Sequence, residues 1–210
     1  MGKTKEMDIV FILDKSGSMS GVESDTIGGY NSYIRANKNN NVKVTTVLFN
    51  DSYSIINSRK NIKQVKNMTI EDYKVGGTTA LLDAIGKSID FMEECNPKKV
   101  MFVITTDGLE NSSRKYTKEE IKKKIQMHNN WEFVYIGANI DSYSEASSIG
   151  ISKNNIANYK KDKKGVRNLF SSVGKIANMF YDEMEIDTSW KEDLEDVDDY
   201  KEDPYANLFY

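Results

Sequence analysis

The sequence has very few of the residues on which many catalytic and metal sites depend, with one cysteine and one histidine among 210 residues. The single cysteine, Cys95, excludes an intramolecular disulfide and fits a reducing compartment, and a thiolate zinc site would need several more ligands. The single histidine, His128, falls at the polar end of a predicted helix, "IKKKIQMHNN". We therefore expect neither cysteine-based nor histidine-based catalysis.

Long hydrophobic runs are also missing. The apolar run from Ile9 to Leu13 is too short for the core of a signal peptide or for a membrane span, and the residues before it are charged. The sequence therefore predicts a cytoplasmic protein that makes no contact with membranes.

Charge is unevenly divided along the chain, although the net charge is only −3. Residues 185–210 contain ten Asp and Glu against two Lys, a balance of −8 that leaves +5 for residues 1–184. The lysines of the first part are scattered without interleaved aromatic residues, which favours a solvated surface over a nucleic-acid interface. We predict one domain over residues 1–184, followed by an acidic C-terminal tail over residues 185–210 that is extended or flexible.

Four short segments are apolar at nearly every interior position, which is typical of parallel strands buried on both faces. They are "MDIVFILD", "VKVTTVLFN", "KVMFVITTD" and "WEFVYIGA". The segment "DSYSIINS" follows the second of them after a turn at Asn50-Asp51 and predicts an antiparallel edge strand. A last, weak strand is expected around residues 155–159.

Helical patterns alternate with these strands. One runs through "TTALLDAIGKSIDFMEE", where Leu81, Ile85 and Ile89 fall on one side, and a long closing helix is expected over residues 165–184. Thr117 and Glu120 have the spacing of a capping box at the start of another helix. This alternation predicts an α/β fold: a doubly wound, mostly parallel central sheet of about six strands, with one antiparallel edge strand and helices on both faces.

Three polar clusters fall where ligands bind in such a sheet, beyond the carboxyl ends of strands. They are "DKSGS" after the first strand, "GGTT" before a helix, and "TTDG" after the fourth strand. If the first and fourth strands are neighbours, the three loops converge and offer only oxygen ligands. Such ligands favour Mg²⁺, Mn²⁺ or Ca²⁺ over zinc or copper. The candidate ligands are Asp14, Ser16, Ser18, Thr78 or Thr79, and Asp107.

The segments "DIVFILDKSGSM", "GGTTALLDAI" and "VITTDG", in this order, resemble the von Willebrand factor type A (vWA) domain and its metal-ion-dependent adhesion site (MIDAS). Further along, "WEFVYIGANIDSYSEASSIGI" resembles a late strand-and-helix unit of bacterial and phage-like intracellular members. The resemblance covers residues 7–182 and implies a Rossmann-like fold. It also implies that the metal is held by Asp14, Ser16, Ser18, a threonine of "GGTT", and Asp107. Thr79 directly precedes "ALLDAI", as in the family, and is favoured, whereas Thr78 keeps the Gly-Gly-Thr spacing.

The residues favour a divalent-cation-dependent protein-binding domain whose metal, Mg²⁺ or Mn²⁺ with Ca²⁺ as an alternative, accepts an Asp or Glu carboxylate from a partner. Two alternatives stay open: a metal-dependent hydrolase or phosphatase, and a subunit that acts with a separate ATPase in an assembly complex. A phosphatase of the haloacid dehalogenase type is disfavoured because it needs a second Asp where this chain has Ser16. The acidic tail adds a further hypothesis, self-association through a metal site.

Overall fold

The computed structural model describes residues 6–138 and 141–195, which contain a six-stranded sheet in the order β3-β2-β1-β4-β5-β6. The strands are β1 Met7–Asp14, β2 Val42–Phe49, β3 Tyr53–Asn61, β4 Val100–Thr106, β5 Trp131–Gly137 and β6 Ile156–Asn158. Neighbouring strands are parallel except for β2 and β3, which pair antiparallel. The predicted doubly wound sheet with one antiparallel edge strand is therefore confirmed.

Within the described residues, five α-helices cover the two faces of this sheet. They are α1 Glu23–Ala36, α2 Leu81–Cys95, α3 Lys118–Met127, α4 Ser142–Ser148 and α5 Lys163–Tyr181. On one face, Phe11 of β1 packs in the same core as Tyr30 of α1 and Phe170 of α5. On the other face, Ile12 packs in a core with Ile85 of α2. Alternate residues of β1 thus contribute to opposite cores, which is why this strand is apolar from Ile9 to Leu13.

No helix in the described ranges is long and apolar enough to cross a membrane.

The order of the strands places a topological switch point next to β1. The chain moves from β1 to β2 in one direction along the sheet, and from β4 to β5 in the other. β1 pairs with β4 in parallel register, with Leu13 opposite Thr105. The carboxyl ends of these two strands therefore lie side by side, at the place where loops diverge and leave room for a ligand.

The connection from β6 to α5 is tightly folded against the first turn of the helix. Asp162 caps α5 by accepting a hydrogen bond from the backbone of Gly165 at 2.7 Å. A Cβ atom on Gly165 would lie 1.9 Å from the carbonyl oxygen of Lys160. Because real carbon and oxygen atoms do not approach so closely, only glycine fits here without movement of the backbone.

The chain after α5 returns to the sheet edge instead of leaving the body. Thr188–Lys191 forms a 3-10 helix, and within it the fully buried Trp190 donates its indole N–H to the carbonyl of Asn154 at 2.9 Å. Leu194 also joins the core. We call residues 188–195 the C-terminal strap. This part of the predicted acidic tail is packed rather than extended, and residues 196–210 lie outside the described ranges.

The close approach at Gly165 makes a testable prediction about stability. Gly165→Ala is expected to lower the free energy of unfolding by about 1–3 kcal/mol, because the new methyl group must push the Lys160 carbonyl aside. Gly174→Ala is the matched control in the same helix, since a Cβ there meets nothing within 4 Å. It should be neutral or stabilising by up to about 1 kcal/mol. Denaturant unfolding of both variants checks the pair, and equal stabilities would contradict it.

Candidate metal centre

Asp14 is the last residue of β1 and is completely buried. Its Oδ1 accepts a hydrogen bond from the backbone N–H of Ser16 at 2.6 Å, and its Oδ2 accepts one from the hydroxyl of Thr106 at 2.6 Å. The first bond turns the chain sharply after the strand, and the second ties the ends of β1 and β4 together. The carboxylate is thus fixed at the switch point by both strands.

The two serines of "DKSGS" lead from Asp14 to the end of β4. The hydroxyls of Ser16 and Ser18 lie 3.0 Å apart, and the hydroxyl of Ser18 donates to Oδ1 of Asp107 at 2.5 Å. Gly17, between the serines, donates its N–H to the carbonyl of Gly77 at 3.0 Å. The first polar loop is therefore bonded to both of the others.

The "GGTT" loop brings Thr79, not Thr78, to this cluster. Thr79 is 3% exposed, and a Cβ built on Gly108 would lie 3.0 Å from the Thr79 hydroxyl oxygen and 3.2 Å from that of Ser18. Both oxygens thus face the same glycine of the third loop. Thr78 is exposed and lines a separate surface cleft of about 320 Å³.

Asn111, which none of the three motifs includes, fixes the backbone of Thr79. Its side-chain oxygen accepts the N–H of Thr79 at 2.9 Å, and its own N–H donates to the Thr79 carbonyl at 3.1 Å. This reciprocal pair holds the threonine at one position beside the loop after β4.

Two further residues of the site carry no recognisable signal in the sequence. The buried hydroxyl of Tyr73 donates to the carbonyl of Asp14. The ammonium of Lys161 lies 2.9 Å from Oδ2 of Asp107 and also donates to the carbonyl of Ser18. Lys161 belongs to "YKKDKKG", which composition alone identifies as a solvated surface.

The electrostatics of the cluster are set by burial. Burial raises the pKa of Asp14, while the hydrogen bonds from Thr106 and Ser16 lower it and the neighbouring Asp107 raises it further. The side chain of Asp107 is only 1% exposed and forms an ion pair with Lys161. The two buried carboxylates together carry more negative charge than this one ammonium offsets, so a cation would balance the remainder.

The donor set fits a small, hard divalent cation. It consists of two carboxylates and three hydroxyls, all oxygen, and such sets suit Mg²⁺, Mn²⁺ or Ca²⁺. Across residues 6–138 and 141–195, no group of three or more His, Cys, Asp or Glu side chains is arranged to hold a metal ion. An ion here would therefore depend on the hydroxyls of Ser16, Ser18 and Thr79 as much as on the carboxylates.

Solved structures provide the comparison for this arrangement. No protein-family model and no curated protein matches the sequence. The zinc-occupied MIDAS form of proximal thread matrix protein 1 from the mussel byssus is 16% identical, with a TM-score of 0.59 over 83% of this chain and 46% of that one.

Two bacterial structures are similar in the same way. The von Willebrand factor type A protein from Catenulispora acidiphila is 13% identical, with a TM-score of 0.60 over 83% of this chain and 43% of that one. The vWF domain of the pilus tip protein Mfa5 from Porphyromonas gingivalis is 10% identical, with a TM-score of 0.63 over 85% of this chain and 97% of that domain.

These likenesses show the fold. The chain has the von Willebrand factor type A fold, as the motifs predicted. It spans less than two thirds of the first solved structures that it matches, 46% of the mussel protein and 63% of the minor pilin PilB from Streptococcus sanguinis. At such low identity the comparison does not carry binding partners from those proteins to this one.

The burial of Asp14 generates a prediction for the metal-free protein. Because burial raises the pKa of Asp14 above the ordinary value of 3.8, the native state binds a proton on this carboxyl group more tightly than the unfolded state does. The stability that the protonated Asp14 contributes is complete below pH 3.8 and is lost as the pH rises through the raised pKa. In metal-free buffer, Asp14→Asn should therefore melt at a higher temperature than wild type at pH 7, with a gap that closes as the pH falls.

Thermal melts of both proteins at several pH values measure this gap. The amide keeps an acceptor for Ser16 and a donor for the hydroxyl of Thr106, so the hydrogen bonds are preserved in number. An Asp14→Asn protein that is less stable than wild type at pH 7 would contradict the conclusion that burial outweighs the hydrogen bonds in setting the pKa of Asp14.

Proposed function

We propose that this protein is a divalent-cation-dependent protein-binding domain. The observation that carries the proposal is the meeting of three oxygen-rich loops at one switch point, with hydrogen bonds that link Asp14, Ser16, Ser18 and Asp107 directly. The proposed ligands of the ion are Asp14, Ser16, Ser18, Thr79 and Asp107. Mg²⁺ or Mn²⁺ is the proposed ion, and Ca²⁺ is the alternative of the same chemical class.

The chemistry of the ligands accounts for a role in binding. Three of the five are neutral hydroxyls, so they offset little of the charge of the cation, and the bound ion remains attractive to a further anionic oxygen. A carboxylate of Asp or Glu on a partner protein is the proposed outside ligand. The hydroxyls and carboxylates of this chain position the ion, and the partner completes its coordination.

A binding role also fits the position of the single histidine, the residue most often used in acid–base catalysis. His128 follows α3, next to the start of β5, and its ring stacks on Trp131 while one ring nitrogen lies 2.9 Å from Oε1 of Glu93. The start of β5 lies at the opposite edge of the sheet from the carboxyl ends of β1 and β4. We therefore propose a non-enzymatic role, and, from the single cysteine, an intracellular one.

The first test of this proposal concerns the metal. Wild type is expected to bind Mg²⁺ or Mn²⁺ in calorimetric titrations, and Asp14→Ala is expected to lose binding. Thr79→Val removes one hydroxyl without changing side-chain size and should weaken the affinity about tenfold or more. Thr78→Val is the matched control next to it and should leave the affinity unchanged. Equal affinities in wild type and Asp14→Ala would contradict the site.

The second test concerns the partner. Proteins captured on the wild-type domain in Mg²⁺ are expected to be released by EDTA and to be missing from an Asp14→Ala column. Changing the contacting Asp or Glu of a captured partner to Asn or Gln should abolish its binding. Capture that survives both EDTA and Asp14→Ala would show a binding surface elsewhere on the domain.

Truncation tests of the acidic tail need a boundary that respects the fold. The hypothesis of self-association concerns the acidic tail over residues 185–210, and residues 188–195 of that tail form the C-terminal strap. A chain that ends at residue 195 keeps Trp190 and Leu194 in the core, whereas a chain that ends at residue 185 removes both. We propose the longer chain for this test, with metal-dependent dimerisation in analytical ultracentrifugation as the measurement.

A further inference from the structure

Lys161 reaches the proposed metal site from a part of the chain that none of the three motifs includes. Its ammonium contacts Oδ2 of Asp107 at 2.9 Å, and its side chain is only 19% exposed. The same ammonium donates to the carbonyl of Ser18. Both contacts are made to residues of the proposed ligand set, one through a carboxylate and the other through the backbone.

The remaining oxygen of Asp107 is also engaged, since Oδ1 accepts the hydroxyl proton of Ser18 at 2.5 Å. Both oxygens of the carboxylate are thus in contact with groups of this chain. A divalent ion that coordinates Asp107 directly must bind an oxygen that already accepts one of these contacts, and an ion that reaches it through water must still lie beside the ammonium. In either case the ion and Lys161 are like charges drawn to the same buried carboxylate.

The backbone that carries Lys161 is held in place. Asp162, the next residue, caps α5 through its bond to Gly165, and its N–H donates to the carbonyl of Lys160 at 2.8 Å. Gly165 packs against the same carbonyl. The turn therefore holds the backbone of Lys161 at a fixed position, from which its side chain reaches Asp107.

We propose that Lys161 is a tethered cation that competes with the divalent metal for Asp107, and that it thereby sets the metal concentration at which the site fills. The inference rests on the proposed function, because it presupposes that the cluster binds a metal. It assigns two consequences to one side chain. Without metal, Lys161 compensates the buried carboxylate and stabilises the fold; with metal, it weakens the affinity.

The experiment is a calorimetric titration of Mn²⁺ and Mg²⁺ into wild type, Lys161→Met, Lys161→Arg and Lys163→Met at constant ionic strength. Lys161→Met keeps most of the length of the side chain without its charge, and it should bind metal about tenfold more tightly, as expected for removal of a nearby like charge. Lys161→Arg keeps the charge and should stay close to wild type. Lys163→Met removes a lysine two residues away and should change nothing.

Thermal melts in chelator provide a readout that does not depend on bound metal. Lys161→Met should melt a few degrees below wild type because Asp107 loses its buried ion pair, and its melting temperature should rise more than that of wild type when Mn²⁺ is added. Lys161→Gln, which can still donate to the Ser18 carbonyl, should show the same direction if the methionine variant folds poorly.

The outcomes separate this inference from the function on which it rests. If wild type binds metal, Asp14→Ala does not, and Lys161→Met binds with equal or lower affinity than wild type, the competition is overturned while the site stands. If neither wild type nor Lys161→Met binds metal, the proposed function fails and the inference fails with it. Tighter binding by Lys161→Met and by Lys163→Met alike would also overturn it, because the effect would then be one of general surface charge.

Discussion

The hydrogen bond from the Thr106 hydroxyl to the Asp14 carboxylate is the contact on which the rest of the site depends. It joins the carboxyl ends of the two central parallel strands at a point that water does not reach. Burying a carboxylate is unfavourable unless its oxygens are bonded, and here each oxygen has a donor. The fold thus holds a charged group at the switch point, and the loops that follow are arranged around it.

Much of this arrangement could be predicted because the signals are local. The strands that lead to Asp14 and Asp107 are apolar at nearly every interior position, since both faces of the sheet are covered, and the alternation of such strands with helices predicts that they are parallel and end at one edge of the sheet. The capping box at Thr117 and Glu120 is likewise defined by residues within a span of four, and it is present in the structure. Local patterns of this kind can be predicted without any knowledge of the tertiary fold.

The missed features are those in which distant residues meet. Lys161 and Ser18 are separated by 143 positions, and a lysine within "YKKDKKG" has the same composition signal whether it points to solvent or to a buried carboxylate. Trp190 lies in a segment rich in Asp and Glu, so its composition indicates an extended tail, yet Trp190 and Leu194 are buried in the core and hold the segment on the body. Burial of these two apolar side chains outweighs the charge pattern around them.

The C-terminal strap has a consequence for the free edge of the sheet. β6 is only three residues long, and an exposed edge strand offers backbone groups that can pair with another molecule. The ammonium of Lys191 donates to the carbonyl of Ile156 in β6 at 2.7 Å and to that of Lys153, just before β6, at 3.2 Å, and burial lowers the pKa of Lys191. A side chain of the strap thus satisfies a backbone acceptor of the edge strand, and that acceptor is not open to a strand of a second molecule.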